Sequence, residues 1–382
     1  MVDGRQRVII ENLSPQVEAG KFPAKRTLGE LLIIGADIFV DGHDVLSAVV
    51  QHRLDNSNEY QETCMTHQVN DRWTATIKIS EPRDIFFTVA AWVNHFASWL
   101  VQVKKKFAAE QDISVELADG ANQIRTTAKR AAAQGEPEDA DYLDRFAESL
   151  TRGPVGKAVA LIDDPLLADL MNKHAARELR SVFPEELRVR VEPRLAAFSA
   201  WYELFPRSTG PAGRHGSFQD VIQQLPRISS MGFDILYLPP IHPIGETNRK
   251  GRNNTPNAQP NDVGSPWAIG SASGGHTSIH PDLGTMTDFT ELVAAADKAG
   301  LAVALDIAFQ CSPDHPWVTS HPQWFRMRAD GSIQYAENPP KKYQDIYPFD
   351  FESEDWRNLW NALRDVFLFW VEQGIRIFRV DN

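Results

Sequence analysis

The sequence predicts a multidomain chain of α and β structure: an amino-terminal β-sandwich with a helical-bundle insertion, then the first half of a (β/α)8 TIM barrel. Three observations predict it. Over residues 1–100, turn signals separate short alternating apolar segments. Over 101–185 the apolar period becomes helical. Across 197–382, strand-like and helix-like stretches alternate, the pattern of parallel strands joined by helical crossovers.

In the first region the expected strands are Val8–Ile10, Arg26–Val40, Val45–Leu54, Trp73–Ile79 and Ile85–Val93, and Leu187–Val191 resumes the sandwich at about 186–196. Its His43, His52 and His67 read as surface residues. In the insertion, Ile113, Leu117 and Ile124, then Tyr142, Leu143, Phe146 and Leu150, then Leu166, Leu167, Leu170 and Met171 recur at helical spacing. Gly135-Glu136-Pro137 and Arg152-Gly153-Pro154 break helices, and Asp163-Asp164-Pro165 opens the last one with proline in its first turn. Lys104-Lys105-Lys106 is too short a run to read as more than a solvated helix face.

In the third region the expected strands are Phe198–Phe205, Ile235–Leu238, Ala302–Phe309 and a last one within Gly374–Asn382. The helices between them are Phe218–Met231, Phe289–Ala299 and Trp356–Gln373. Side chains alternate along a strand, so an inward Asp306 brings Ala302, Ala304, Ala308 and Gln310 with it, while Val303, Leu305, Ile307 and Phe309 face the helices. By the same rule Ile377, Arg379 and Asp381 share one face, which sets a cation beside a carboxylate. Two strands then carry an acid inward near their carboxyl ends, where barrel enzymes keep their chemistry. The connections 239–286 and 311–352 far exceed ordinary βα loops and hold Trp267, Trp317, Trp324, Tyr335 and Tyr343 among Gly, Asn and Pro, a mixture suited to sugars.

Composition narrows the classes. A net charge of -12 without a long basic run argues against a nucleic-acid partner. No apolar run reaches the ~18 residues needed to span a bilayer, and the start MVDGRQRVII lacks a secretory signal. Cys64 and Cys311 give neither a disulfide framework nor paired metal ligands, so a reducing cytosol is expected. His276 and His280 lie four apart without an evident third ligand and read as sugar contact or packing; no metal or other cofactor is expected.

The pieces Trp201-Tyr-Glu-Leu-Phe-Pro-Arg-Ser208, Asp306-x-x-x-Gln310 and Arg376-Ile-Phe-Arg379-Val-Asp381-Asn382 resemble the α-amylase superfamily of retaining glycoside hydrolases and transglycosylases. Gln310-Cys311 stands where that superfamily has Asn-His, a departure from ordinary amylases. Arg249-Lys250-Gly251 with Asn253-Asn254, Gly264-Ser-Pro-Trp-Ala-Ile-Gly270, Gly274-Gly-His276, Gln310-Cys-Ser-Pro-Asp-His-Pro-Trp317 and Glu337-Asn-Pro-Pro-Lys-Lys-Tyr343 are similar to the bacterial α-1,4-glucan:maltose-1-phosphate maltosyltransferases, over essentially the whole chain. The resemblance implies Asp381 as the nucleophile, Arg379 as its orienting partner, Lys250 and Gln310 in the sugar subsites, and Ser265, Asn338, Lys341, Tyr343 and Asn382 around the phosphate. Asp306 is expected to orient the site.

The activity so implied is retaining transfer of maltosyl units from α-maltose 1-phosphate to an α-1,4-glucan, as in glycogen synthesis, by a cytoplasmic homodimer. An amylase-like hydrolase and a noncatalytic glucan-binding module are the alternatives. Phosphate-dependent cleavage separates the first, and absence of a covalent adduct at Asp381 the second. The resemblance puts the acid–base carboxylate after a fifth strand and a third acid after a seventh, beyond Asn382. The chain is therefore expected to be an amino-terminal piece, inactive and poorly soluble alone, whose first 195 residues could fold.

Overall fold

The computed structural model describes residues 3–152 and 154–381, in two compact units, 1–197 and 198–382. The first unit has strands β1 (Ile9–Ser14), β2 (Ala24–Thr27), β3 (Leu31–Phe39), β4 (Leu46–Leu54), β5 (Gln61–Cys64), β6 (Thr66–His67), β7 (Arg72–Lys78) and β8 (Ile85–Val93). Helices α1 (His95–Ala108), α2 (Ser114–Ala133), α3 (Pro137–Arg152), α4 (Val155–Leu161) and α5 (Pro165–Lys173) follow, then β9 (Ser181–Val182) and β10 (Leu187–Glu192).

One sheet runs β1-β3-β7-β6 and the other β2-β10-β8-β4-β5, with β9 beside β8. The strand β10 lies parallel to β2 and antiparallel to β8, so the chain returns after the helices to the sheet it left at Val93. Alternation puts Leu32, Ile34 and Ile38 of β3 and Phe87 and Val89 of β8 into one fully buried core between the sheets. Each such side chain contributes roughly 1.5–3 kcal/mol of transfer free energy. The helices bury their own stripe, Leu117, Ile124, Leu143, Leu150 and Leu167 among it. Asp164 caps α5 by accepting from Leu166 N, with Pro165 in the first turn where its missing N–H costs nothing. His52, against the surface reading, is half-buried, its Nε2 3.1 Å from Thr63 Oγ1.

The second unit orders four parallel strands β11 (Trp201–Glu203), β12 (Ile235–Leu238), β13 (Ala302–Ala308) and β18 (Ile377–Asp381) side by side. Between β13 and β18 lie the short pairs β14 (Gln310–Cys311) with β17 (Tyr347–Pro348), and β15 (Ala336–Asn338) with β16 (Lys341–Tyr343). Helices α6 (Phe218–Ser230), α7 (Met286–Lys298) and α9 (Trp356–Glu372) pack on the outer face, with α8 (Pro316–Ser320) in the loop after β13. Val303, Leu305, Ile307 and Phe378 join the helices, while Ala304, Tyr237 and Ile377 form the inner layer. This is the first half of a (β/α)8 barrel.

Element ends differ from the periodicity for local reasons. The helix expected from Phe289 begins at Met286, because Thr285 and Asp288 form a reciprocal capping box ahead of the first apolar residue; Ser217 and Asp220 do the same for α6. The strand expected over Phe198–Phe205 is only Trp201–Glu203. Phe198 is 80% exposed, and Pro206, which has no N–H to donate, opens a short 3-10 turn.

Within the bundle, Gly120 lies in the middle of α2 under the Trp99 ring, where an added Cβ would overlap ring atom Cζ2. Trp99 cannot swing aside cheaply, since its Nε1–H donates to the Glu116 carbonyl at 2.6 Å. Gly120→Ala therefore sets an overpacking cost of about 1–3 kcal/mol against the ~1 kcal/mol that alanine gains in a helix. We expect a net loss read as a lower urea midpoint; a variant as stable as the parent would show that the ring yields.

Candidate active site

Parallel strands put all their carboxyl ends on one edge, so Tyr237, Asp306 and Asp381 reach the same end of the sheet. Register decides their contacts. Asp306 lies beside Arg379 and Ala308 beside Asp381, so the one arginine serves both acids. Its Nη1 is 2.5 Å from Asp381 Oδ2 and 3.0 Å from Asp306 Oδ2. The Tyr237 hydroxyl donates to the same Asp306 oxygen. Asp306 Oδ1 is buried without a partner among the described residues.

Burial pushes the Asp306 carboxyl upward, and the Tyr237 and Arg379 hydrogen bonds oppose that rise. The hydrogen bond with Asp381 strengthens the hold of Arg379 on its proton, and the Asp306 charge adds to it. The two acids differ in exposure: the Asp306 side chain is sealed, while Asp381 is 29% exposed. Of the pair, only Asp381 is open to an incoming group.

The long loops are pinned to each other by the segment that follows β13. Gln310 Nε2 donates to the Trp267 carbonyl at 3.1 Å, and Ser312 Oγ to that of Gly270 at 2.5 Å. The Asp314 carboxylate accepts from Glu246 N, Thr247 N and Thr247 Oγ1 at 2.6–2.7 Å. His315 accepts from Trp317 N on Nδ1, so its Nε2–H points at His276 Nδ1, and His276 Nε2–H donates to Ala308 O at 2.9 Å. Burial pushes His276 down to about 4 and His315 to about 2, which fits two neutral rings in a saturated chain. Cys311 lies near both, but those rings have no nitrogen left for a metal without breaking this chain.

Lys250, 7% exposed, donates to Gln344 Oε1 at 2.8 Å and to the Lys342 carbonyl at 3.4 Å, tying the first loop to the β15–β16 hairpin. In that hairpin Asn338 pairs with Lys341 and Ala336 with Tyr343, so Asn338, Lys341 and Tyr343 project from one face. Ser265 lies two residues before Trp267, whose carbonyl holds Gln310.

The sequence-predicted residues thus fall into two groups. Arg379 and Asp381 touch; Lys250 and Gln310 are committed to loop contacts, whereas the side chains of Ser265, Asn338, Lys341 and Tyr343 make no hydrogen bond among the described residues. No hydrogen bond among the described residues joins the hairpin to the Arg379–Asp381 pair, and Asn382 lies outside them.

Sequence reasoning missed Tyr237, although its parity with Ile235 on β12 already sets a phenol on the inner face. It also missed Asp345, buried with Oδ1 unpartnered and its carboxyl raised by burial against the pull of Lys250. The signal there was an acid two residues past Tyr343 inside a loop already marked as functional.

Residues 6–193 match the family model described as alpha-1,4-glucan:maltose-1-phosphate maltosyltransferase, domain N/S, and residues 142–368 that of the alpha amylase catalytic domain. The chain is 50% identical over 382 residues to the alpha-1,4-glucan:maltose-1-phosphate maltosyltransferase of Chlorobaculum tepidum, which covers 100% of the chain and 56% of the relative. It is 46% identical to the protein of that name from Methylacidiphilum infernorum, again over 100% of the chain and 56% of the relative. An α-amylase structure from Lactobacillus plantarum is similar at 36% identity and a TM-score of 0.39, over 48% of this chain and 38% of that one. The chain spans about half the length of the curated relatives it matches. With a catalytic-domain match over more than half its residues, preceded by a maltosyltransferase-type N/S region, the chain belongs to the α-amylase family.

Proposed function

We propose that the full-length protein carrying this chain transfers maltosyl units from α-maltose 1-phosphate to the non-reducing ends of α-1,4-glucans, with retention. The observation that carries the reading is the carboxylate of Asp381, held by Arg379 at the open end of β18 and still partly exposed. In the first displacement its oxygen attacks the anomeric carbon, the bond to phosphate breaks, and a β-maltosyl ester forms. In the second, the 4-hydroxyl of a glucan end attacks that ester, frees Asp381 and lengthens the polymer by two glucose units.

Phosphate needs donors that are not already spent. Lys341, Tyr343 and Asn338 on one hairpin face, with Ser265, supply a cation and neutral donors that no protein group claims among the described residues. Asn382 completes the set by family resemblance. The buried Lys250, Gln310 and the unpartnered Asp345 oxygen suit the hydroxyls of a sugar, which both give and accept hydrogen bonds.

Retaining transfer also needs an acid–base carboxyl about 5–5.5 Å from the nucleophile. Asp306 does not suit that role, because it is sealed and its Oδ2 is spent on Tyr237 and Arg379. Resemblance assigns the role to an acid after a fifth strand. It also supports a homodimer, glycogen-like product and a cytoplasmic location, where the free Cys64 and Cys311 would stay reduced. No helix among the described residues is long and apolar enough to cross a membrane.

Incubating the full-length protein with maltose 1-phosphate and glycogen should release phosphate; no release would sink the reading. Asp381→Ala should abolish the mass increase that a C2-fluorinated maltosyl fluoride gives the parent, and an adduct on another carboxylate would move the nucleophile elsewhere. Lys341→Ala and Tyr343→Ala should each lower kcat/KM for maltose 1-phosphate, with Lys341 losing up to ~3 kcal/mol, about a hundredfold, as for other charge-assisted hydrogen bonds. Parent-like kinetics in either variant would remove that residue from the phosphate site.

A further inference from the structure

Tyr237 has no part in the two displacements, yet its hydroxyl is aimed at the acid that competes with the nucleophile for its arginine. We infer that Tyr237 is a positioning residue: by donating to Asp306 it holds that buried carboxylate as an anion and so fixes how Arg379 is shared between Asp306 and Asp381. The inference rests on Asp381 being the nucleophile.

The geometry leaves Tyr237 few other uses. Its ring is 9% exposed, in the inner layer with Ile235 and Ala304, and its hydroxyl donates to Asp306 Oδ2 alone among the described residues. Among the described residues Asp306 has just two donors, Tyr237 and Arg379, both on Oδ2, with Oδ1 unpartnered. The titratable groups that face it are Tyr237 from β12 and Arg379 and Asp381 from β18, with Glu203 of β11 acting on Tyr237. Three of these are acids, and Arg379 is the only cation facing them among the described residues.

Removing the phenol hydroxyl leaves Asp306 one donor in a buried place where desolvation already favours the neutral acid. Either Asp306 then draws the guanidinium toward itself, or it takes up a proton and releases the guanidinium to Asp381. Both change the charge that Asp381 brings to the anomeric carbon. Neither alters the groups proposed to hold the donor, so the effect belongs in the glycosylation step and not in donor affinity.

The test is the rate at which the C2-fluorinated maltosyl fluoride labels Asp381 in the full-length protein, followed against pH. Tyr237→Phe keeps the ring volume and should lower the labelling rate about 10- to 100-fold with donor KM within about twofold. The acid limb should move to higher pH, because the lost hydrogen bond favoured the ionised Asp306. A ring-fluorinated tyrosine at 237, a stronger donor of nearly the same shape, should move that limb to lower pH even if the phenylalanine variant folds poorly. In an Asp306→Asn background, Tyr237→Phe should add no further loss, there being no anion left to hold. Parent-like labelling and an unmoved pH limb, or a fully additive double variant, would leave Tyr237 a packing residue while Asp381 remains the nucleophile. Absence of label from Asp381 in the parent would instead overturn the nucleophile assignment itself.

Discussion

A carboxylate sealed inside a parallel sheet sets the arrangement at this end of the barrel. Burying the Asp306 side chain without charged or hydrogen-bonding company would cost several kcal/mol. The sheet register supplies that company by setting Arg379 directly beside it. A strand advances about 3.3 Å per residue with alternate side chains on one face, so Asp381 arrives one repeat further, beside Ala308 and within reach of the same guanidinium. The acid at the open end thus inherits its position from the acid beneath it. Slipping β18 by one residue would turn both Arg379 and Asp381 toward the helices and leave Asp306 unpaired.

The segment just after β13 does for the loops what Asp306 does for the strand. Gln310, Ser312, Asp314 and His315 each send a hydrogen bond or receive one across to residues 246–276. Space enforces this as much as polarity. A Cβ on Gly275 would overlap His315, and one on Gly245 would overlap Ser312, so the backbone approaches closely at both points. The contact ends on Ala308 O, the neighbour of Asp381 across the sheet. Loop order and the position of Asp381 therefore share a support, and a neutral histidine chain provides it without adding charge beside the acids.

Much of this was legible in the sequence because alternation and caps are local. The parity of Ala302 to Gln310 and of Ile377 to Asp381 told which side chains share a face, and so that Arg379 and Asp381 lie within reach of each other. What was not legible depends on which strand lies next to which. Tyr237 and Asp306 are far apart in the chain, and only the β12–β13 pairing brings them together. Asp345 is unremarkable as one acid among many until burial and an unpartnered oxygen single it out. Helix starts were misjudged where caps precede the apolar period, as at Thr285.

The hairpin and the strand ends divide electrostatic labour in a way that follows from desolvation. At the strand ends the sealed Asp306 must be matched within the protein, and Arg379, itself 42% exposed, is shared between it and the partly exposed Asp381. Such an arginine has little to offer an anionic leaving group. The cation proposed for phosphate sits instead on an exposed hairpin, where Lys341 stays solvated, makes no internal ion pair among the described residues and loses little by waiting unpaired. Its attraction becomes strong only when a bound donor displaces the water between them, since the same charges interact more weakly in a high dielectric. On the proposed reading, a site built this way keeps Asp381 fixed at all times and gathers the donors proposed for phosphate only around the substrate that needs them.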